Sequence, residues 1–263
     1  MDTYFKDRFK NTVVVVTGAA QGIGKGVAER IYHEGGFVAL VDRSEWVHDV
    51  VKDLNDGHGK ALAVIADLET HQGFENALKE VKKEYGKIDV LINNVGGTIW
   101  AKPFTEYKPA EIEKEINRSL YPTLWGCRCV LPYMLTQKKG TIINISSIAT
   151  KGIHRIPYST AKGAVNSLTA SLAMEYAEKN IRVNAIATGG TEAPPRKIPR
   201  NNQKMTQKET KWYKEIVAQT VASSLMKRYG TIQEQVNAIT FLASEEASYI
   251  TGITLPVSGG DLG

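Results

Sequence analysis

Sulfur chemistry is nearly absent from this chain of 263 residues. It has two cysteines, Cys127 and Cys129. Two positions apart on a helix they face different ways and cannot bridge, so disulfides do not hold this fold. Long apolar runs are also missing. Nothing approaches the roughly 18 consecutive apolar residues of a membrane helix, and no membrane partner is expected. The N-terminal stretch "MDTYFKDRFKN" lacks the apolar segment of a secretory signal, which makes the cytoplasm the expected compartment. The five histidines are scattered without ligand spacing, so no metal site is expected. No sign of charge dominates: 33 basic and 28 acidic residues are interleaved, for a net +5. That pattern is a solvated surface and points away from nucleic acid. The one denser basic stretch, "PPRKIPRNNQK" at 194–204, is broken by prolines and reads as a loop.

What is present is alternation. "TVVVVTG" (12–18), "GFVALVD" (36–42), "KALAVIAD" (60–67), "KIDVLINN" (87–94), "GTIINISS" (140–147), "IRVNAIA" (181–187) and "TGITLPV" (251–257) read as strands. They are nearly continuous in Val, Ile, Leu and Ala, as strands buried on both faces are. Helical stretches lie between them, at about 22–35, 45–55, 70–85, 109–138, 158–180, 208–220 and 231–243. Strand–helix alternation of this kind predicts an α/β protein, a single doubly wound domain over 1–263 with a seven-stranded parallel sheet. Its ligands belong beyond the carboxyl ends of the strands.

"TGAAQGIG" (17–24) follows the first strand and opens the first helix. Gly18, Gly22 and Gly24 leave room for a tight turn and for backbone to approach a pyrophosphate, which the helix N-terminus attracts. Asp42 ends the second strand, where its carboxylate can bond the two hydroxyls of an adenosine ribose and repel a 2′-phosphate. The expected cofactor is therefore NAD rather than NADP, although Arg43 next to it could hold such a phosphate. A turn or helix-capping aspartate would look the same in isolation. Asp67 is placed to meet the adenine, and "NNVG" (93–96) puts Asn93, Gly96 and Gly97 where the chain turns beneath the cofactor.

Eleven residues after Ser147, at the end of the fifth strand, comes Tyr158, with Lys162 one helical turn further. Pro157 suits the first turn of that helix. Oxidising an alcohol by hydride transfer also requires taking its proton. A free tyrosine, with a pKa of about 10, is a poor base near neutrality. A lysine cation about 4 Å away, at an effective dielectric near 20, favours the phenolate by up to about 4 kcal/mol. Tyr158 then acts as base, Lys162 tunes it and binds the ribose, and Ser147 holds the substrate oxygen. The same tyrosine–lysine spacing also occurs on plain solvated helices.

Taken together, "TGAAQGIG", Asp67, "NNVG", Ser147 with "YSTAK", "RVNAIATGG" with Thr191 and the C-terminal "RYGTIQEQVNAITFLASEEASYITGITLPVSGG" resemble the short-chain dehydrogenase/reductase family over essentially the whole chain. The resemblance implies a Rossmann fold, a nicotinamide cofactor and the Ser147–Tyr158–Lys162 triad. It implies further cofactor contacts from Gln21, Ile23, Leu68, Asn94 and Thr191, and a homotetramer built on the helices near 109–138 and 158–180. Two departures stand out. Thr188-Gly189 replaces the family's Pro-Gly, and Ser119 stands thirteen residues before Pro132, where the family has a catalytic asparagine. Asn117 lies about 200° around the helix from it. Pro122 should still bend this helix, with Ser119 as a partner for a proton-carrying water. The segments 119–128, 151–159 and 188–230, the last including a substrate loop at about 188–225, are similar to those of family members that oxidise benzoate-type cis-diol carboxylates. The implied substrate is a small carboxylated diol, with Arg155, His154, Arg196 and Arg200 as candidates for its carboxylate and Arg155 foremost. A reductase of a keto sugar or acyl thioester, or a cofactor sensor, would share much of this pattern.

Overall fold

The computed structural model describes residues 4–55 and 60–263. In chain order the elements are β1 (Val13–Thr17), α1 (Gly22–His33), β2 (Phe37–Asp42), α2 (Trp46–Leu54), β3 (Ala61–Ile65), α3 (His71–Tyr85) and β4 (Val90–Asn93). Then follow α4 (Pro109–Ser119), α5 (Tyr121–Gln137), β5 (Gly140–Ser147), α6 (Ile156–Tyr176) and β6 (Ile181–Thr188). The last are β7 (Thr191–Glu192), α7 (Gln207–Ser223), β8 (Gly230–Thr231), α8 (Ile232–Ala243) and β9 (Thr254–Val257). Seven strands form one sheet in the order β3-β2-β1-β4-β5-β6-β9, and every pairing is parallel.

The valine run of β1 shows why the sheet is buried on both sides. Successive side chains of a strand point to opposite faces. Val14 and Val16 pack with Val27 and Ile31 of α1 and with Val236 and Ile239 of α8. Val13 and Val15 pack instead with Phe74 and Leu78 of α3 and with Val130 and Met134 of α5. A strand between two apolar layers has no polar face, which is why its sequence is continuously hydrophobic. Cys127 and Cys129 are buried free thiols on α5. Among the described residues no helix is long and apolar enough to cross a membrane.

Two expectations change. The stretch 109–138 is two helices, broken at Leu120 two residues before Pro122, which has no N–H to continue the ladder. The short parallel bridge between β7 and β8 was not foreseen, because two-residue strands carry no periodicity to read.

The N-terminal segment is tied down by Glu34, which is completely buried. Its carboxylate accepts from Arg8 Nε at 2.6 Å, Arg30 Nε at 2.9 Å and the Phe5 N–H at 3.1 Å. Arg8 in turn donates to Thr240 at 3.0 Å and Arg30 donates to Asn237, so one acid joins the N-terminal segment, α1 and α8. Breaking a buried pair by removing one partner costs about 3–5 kcal/mol. Glu34→Ala should lose stability of that order in urea unfolding, with the midpoint shifting and the slope unchanged.

Candidate active site

The strand order reverses between β1 and β4, and connections leave the two strands in opposite directions. A crevice opens there at the carboxyl edge. Asn94 holds its floor together. Its N–H donates to Thr17 Oγ1 at 2.8 Å, and its side-chain amide donates to the carbonyls of Thr17 and Gly18 at 3.0 and 3.1 Å.

One cavity, of about 170 Å³, runs from the glycine turn to the ends of β2 and β3. It is lined by Gly18, Gln21, Gly22, Ile23, Asn94 and Gly96, and at the far end by Asp42, Asp67 and Leu68. Gly24 does not line it. A Cβ there would lie 2.3 Å from the Gly18 carbonyl oxygen, so this glycine serves the close packing of the turn. Gly22 has a φ of +63°, and a Cβ there would meet nothing within 4 Å, as expected of backbone left open to a ligand. At the other end, Asp42 accepts the N–H groups of Ala20 and Ser44, each at 3.1 Å, which aims its carboxylate into the cavity. Arg43 is drawn to Glu69, at 3.7 Å, where Arg118 also binds at 2.6 Å. Glycine backbone at one end and a fixed carboxylate at the other fit a dinucleotide.

The adjoining cavity, about 550 Å³, is lined by Ser147, Tyr158, Arg155, Trp100, Thr191 and Arg200. Gly22, Ile23, Arg196 and Arg200 line both cavities. Ser147 Oγ accepts the Ala149 N–H at 3.1 Å, and Thr191 Oγ1 donates to the Gly189 carbonyl at 3.2 Å. Tyr158 and Lys162 are carried on α6, with Pro157 in its first turn. Lys162 lies behind the cavities rather than in their lining. Its Nζ is 5.8 Å from the Tyr158 ring centroid, donates to the Ile145 carbonyl at 2.6 Å and lies beneath Gly96. Burial, and secondarily the charge of Arg200, pull the Lys162 pKa down to about 7. Beside this lysine the structure places two further cations, since Arg155 and Arg200 line the larger cavity together with Tyr158.

Ser119 is completely buried at the α4–α5 break, also outside the cavity lining, and its Oγ accepts the Gly97 N–H at 3.4 Å. Asn117 is exposed, so the helix register puts the serine inward. His154 does not reach the cavity. Its ring nitrogen is 2.6 Å from Glu215 on α7, and its ring packs near Trp212. An acid on a later helix, invisible from the local sequence, removes it from the carboxylate candidates.

Glu115 was missed. It is completely buried and its Oε1 accepts the N–H groups of Ile99 and Trp100, at 2.6 and 2.9 Å, while Oε2 has no partner among the described residues. It thereby holds the segment that forms one wall of the larger cavity. In "EIEKEIN" it reads like the solvated glutamates beside it, and only its four-residue spacing from Ser119 marks the inward face.

These features define a dinucleotide-binding protein of the doubly wound class, with a buried tyrosine in the wall of a second pocket and a buried lysine behind it. The chain belongs to the short chain dehydrogenase family, whose model matches residues 12–204. It is 60% identical to a 1,6-dihydroxycyclohexa-2,4-diene-1-carboxylate dehydrogenase of Acinetobacter baylyi, over 97% of this chain and 98% of that protein. A protein of the same name from Pseudomonas putida is 56% identical, over 97% and 94%. Among solved structures, an NAD+-bound xylitol dehydrogenase superposes with a TM-score of 0.84 at 27% identity, covering 96% of this chain and 99% of that one.

Burial raises the Glu115 pKa to about 7, from an ordinary 4.5. The folded state therefore holds this proton more tightly than the unfolded chain does. The stability it contributes is full below pH 4.5 and is lost as pH rises through 7. Glu115→Gln does not titrate. Urea unfolding at several pH values should show wild type losing up to about 3 kcal/mol relative to the variant between pH 4.5 and 7.

Proposed function

We propose that this protein oxidises a cis-diol carboxylate of the dihydroxycyclohexadiene type with NAD. The product is a β-keto acid, which loses carbon dioxide to become a catechol. The observation that carries this reading is Arg155. It lines the larger cavity together with Tyr158, and its Nε is sealed from solvent with no hydrogen-bond partner among the described residues. A cation held in this way beside a proton-transfer group suits an anionic substrate. The two relatives above are named as dehydrogenases of a substrate of this type.

The ring carbon that bears the carboxylate in such a substrate carries no hydrogen. Only the neighbouring carbinol carbon can release hydride, for which a bound nicotinamide cofactor would supply the acceptor. Ser147 holds the carbinol oxygen, and Tyr158 takes its proton. Positive charge from Lys162, Arg155 and Arg200 favours the deprotonated tyrosine that can do so. Ser119, inward at the helix break, serves the exit of that proton through solvent. Thr191 meets the cofactor from the start of the 188–225 loop, which closes the substrate side. Aromatisation drives the loss of carbon dioxide, so no further residue is assigned to it. We also read the outer face of α5 and α6 as the surface of a homotetramer. Met174, 89% exposed on α6, suits such a role.

NADH formation on mixing the protein with NAD and the carboxylated diol tests the reading, and no turnover would refute it. Tyr158→Phe should lower kcat by about 10²–10⁴-fold while leaving cofactor binding intact. The choice of NAD rests on Asp42, with Arg43 occupied by Glu69. The kcat/KM with NAD should exceed that with NADP, and Asp42→Ala should narrow the gap.

A further inference from the structure

Tyr158 shares its cavity with Arg155, Arg196 and Arg200, with Lys162 behind it, and these four cationic side chains are not equivalent. His154, a fifth basic candidate, is held by Glu215. Lys162 is committed to the Ile145 carbonyl. Arg196 is exposed, and the charges it feels most are Arg200 and Tyr213. Arg155 and Arg200 differ from these: Tyr158 is the ionisable group that each feels most. Each is half-buried, with an Nε that is sealed from solvent and has no hydrogen-bond partner among the described residues. Neither forms an ion pair with a described acid.

Both guanidiniums lie on glycine backbone. A Cβ at Gly97 would sit 2.1 Å from Arg200 Cζ, and one at Gly152 would sit 2.8 Å from Arg155 Nε. Gly97 has a φ of +125°, a backbone conformation unsuited to side-chain-bearing residues. Glu115 anchors the next residues, Ile99 and Trp100, and so fixes the cradle under Arg200. The two arginines thus enter the cavity that Tyr158 lines from separate segments, one before α6 and one in the 190s loop. A planar fork held flat in this way is pre-organised for a carboxylate.

We propose that Arg200 is a specificity-determining residue, the second arm of a two-arginine clamp on the substrate carboxylate, with Gly97 and Gly152 as its seats and Glu115 as a positioning residue. This rests on the carboxylated-diol reading above. In that substrate the carboxylate carbon is three bonds from the reacting oxygen. The group that binds it must therefore stand in the cavity that holds Tyr158, which both Arg155 and Arg200 line. Arg200 also lines the cofactor cavity, so the competing role is a cofactor contact.

The test is calorimetric titration of benzoate, and of uncharged benzamide, into the protein saturated with NAD. Wild type should bind benzoate more tightly than benzamide. Arg200→Ala should weaken benzoate about ten- to a hundredfold, the scale of lost charge-assisted hydrogen bonds, and benzamide much less. Arg200→Lys should recover part of the loss, because it keeps the charge and loses the fork. The NAD affinity of Arg200→Ala should fall less than threefold, about 0.6 kcal/mol. In turnover, KM for the carboxylated diol should rise more than kcat falls. Unchanged benzoate affinity would overturn the clamp, as would equal losses for benzoate and benzamide. An NAD affinity that falls as far as the benzoate affinity would reassign Arg200 to the cofactor. Benzoate binding that depends on Arg200 in a protein that does not turn over the diol would keep the clamp and reject the proposed reaction.

Discussion

The parallel register of β1 against β4 is the constraint on which the site depends. Val14, Val15 and Val16 pair with Val90, Leu91 and Ile92, which brings both strands to an end at the same height. Asn94 then staples the two ends through Thr17 and Gly18. The glycine turn, the 93–97 turn and Lys162 beneath Gly96 all take their places from this junction. The two hydrophobic layers make the register costly to alter, because a one-residue slip would send every valine of β1 to the wrong face.

Positive charge without acid partners is the second organising feature. Several buried cations are matched by acids: Arg8 and Arg30 share Glu34, and Arg118 meets Glu69. At the larger cavity Arg155 and Arg200 have no such partner among the described residues, and the buried acid Glu115 has both backbone N–H bonds and a raised pKa. Leaving charge uncompensated in a partly dry site is unfavourable until an anion arrives. The same arrangement gives a pocket in which arginines and the tyrosine share one lining.

Much of this was legible in the chain because the physics behind it is local. Strands buried on both faces must be apolar throughout, and a turn that approaches a phosphate needs glycine at Gly18 and Gly22. A proline such as Pro157 opens the helix that carries Tyr158 and Lys162 on one face. Family membership adds to this, since the motifs recur in order along the chain. What was missed depended on contacts between distant segments. His154 looks available until α7 brings Glu215 to it. Glu115 looks solvated until α4 turns it onto Ile99 and Trp100.

By itself, then, the sequence determined the α/β alternation, the dinucleotide turn and the spacing of Ser147, Tyr158 and Lys162, because backbone conformation and helical periodicity act over a few residues. Only the tertiary structure decided which of the basic side chains line the cavity with the phenol. Burial and charge pairing are set by segments far apart in the chain: Arg200 stands 42 positions from Tyr158 in sequence and rests on Gly97, more than 100 positions away.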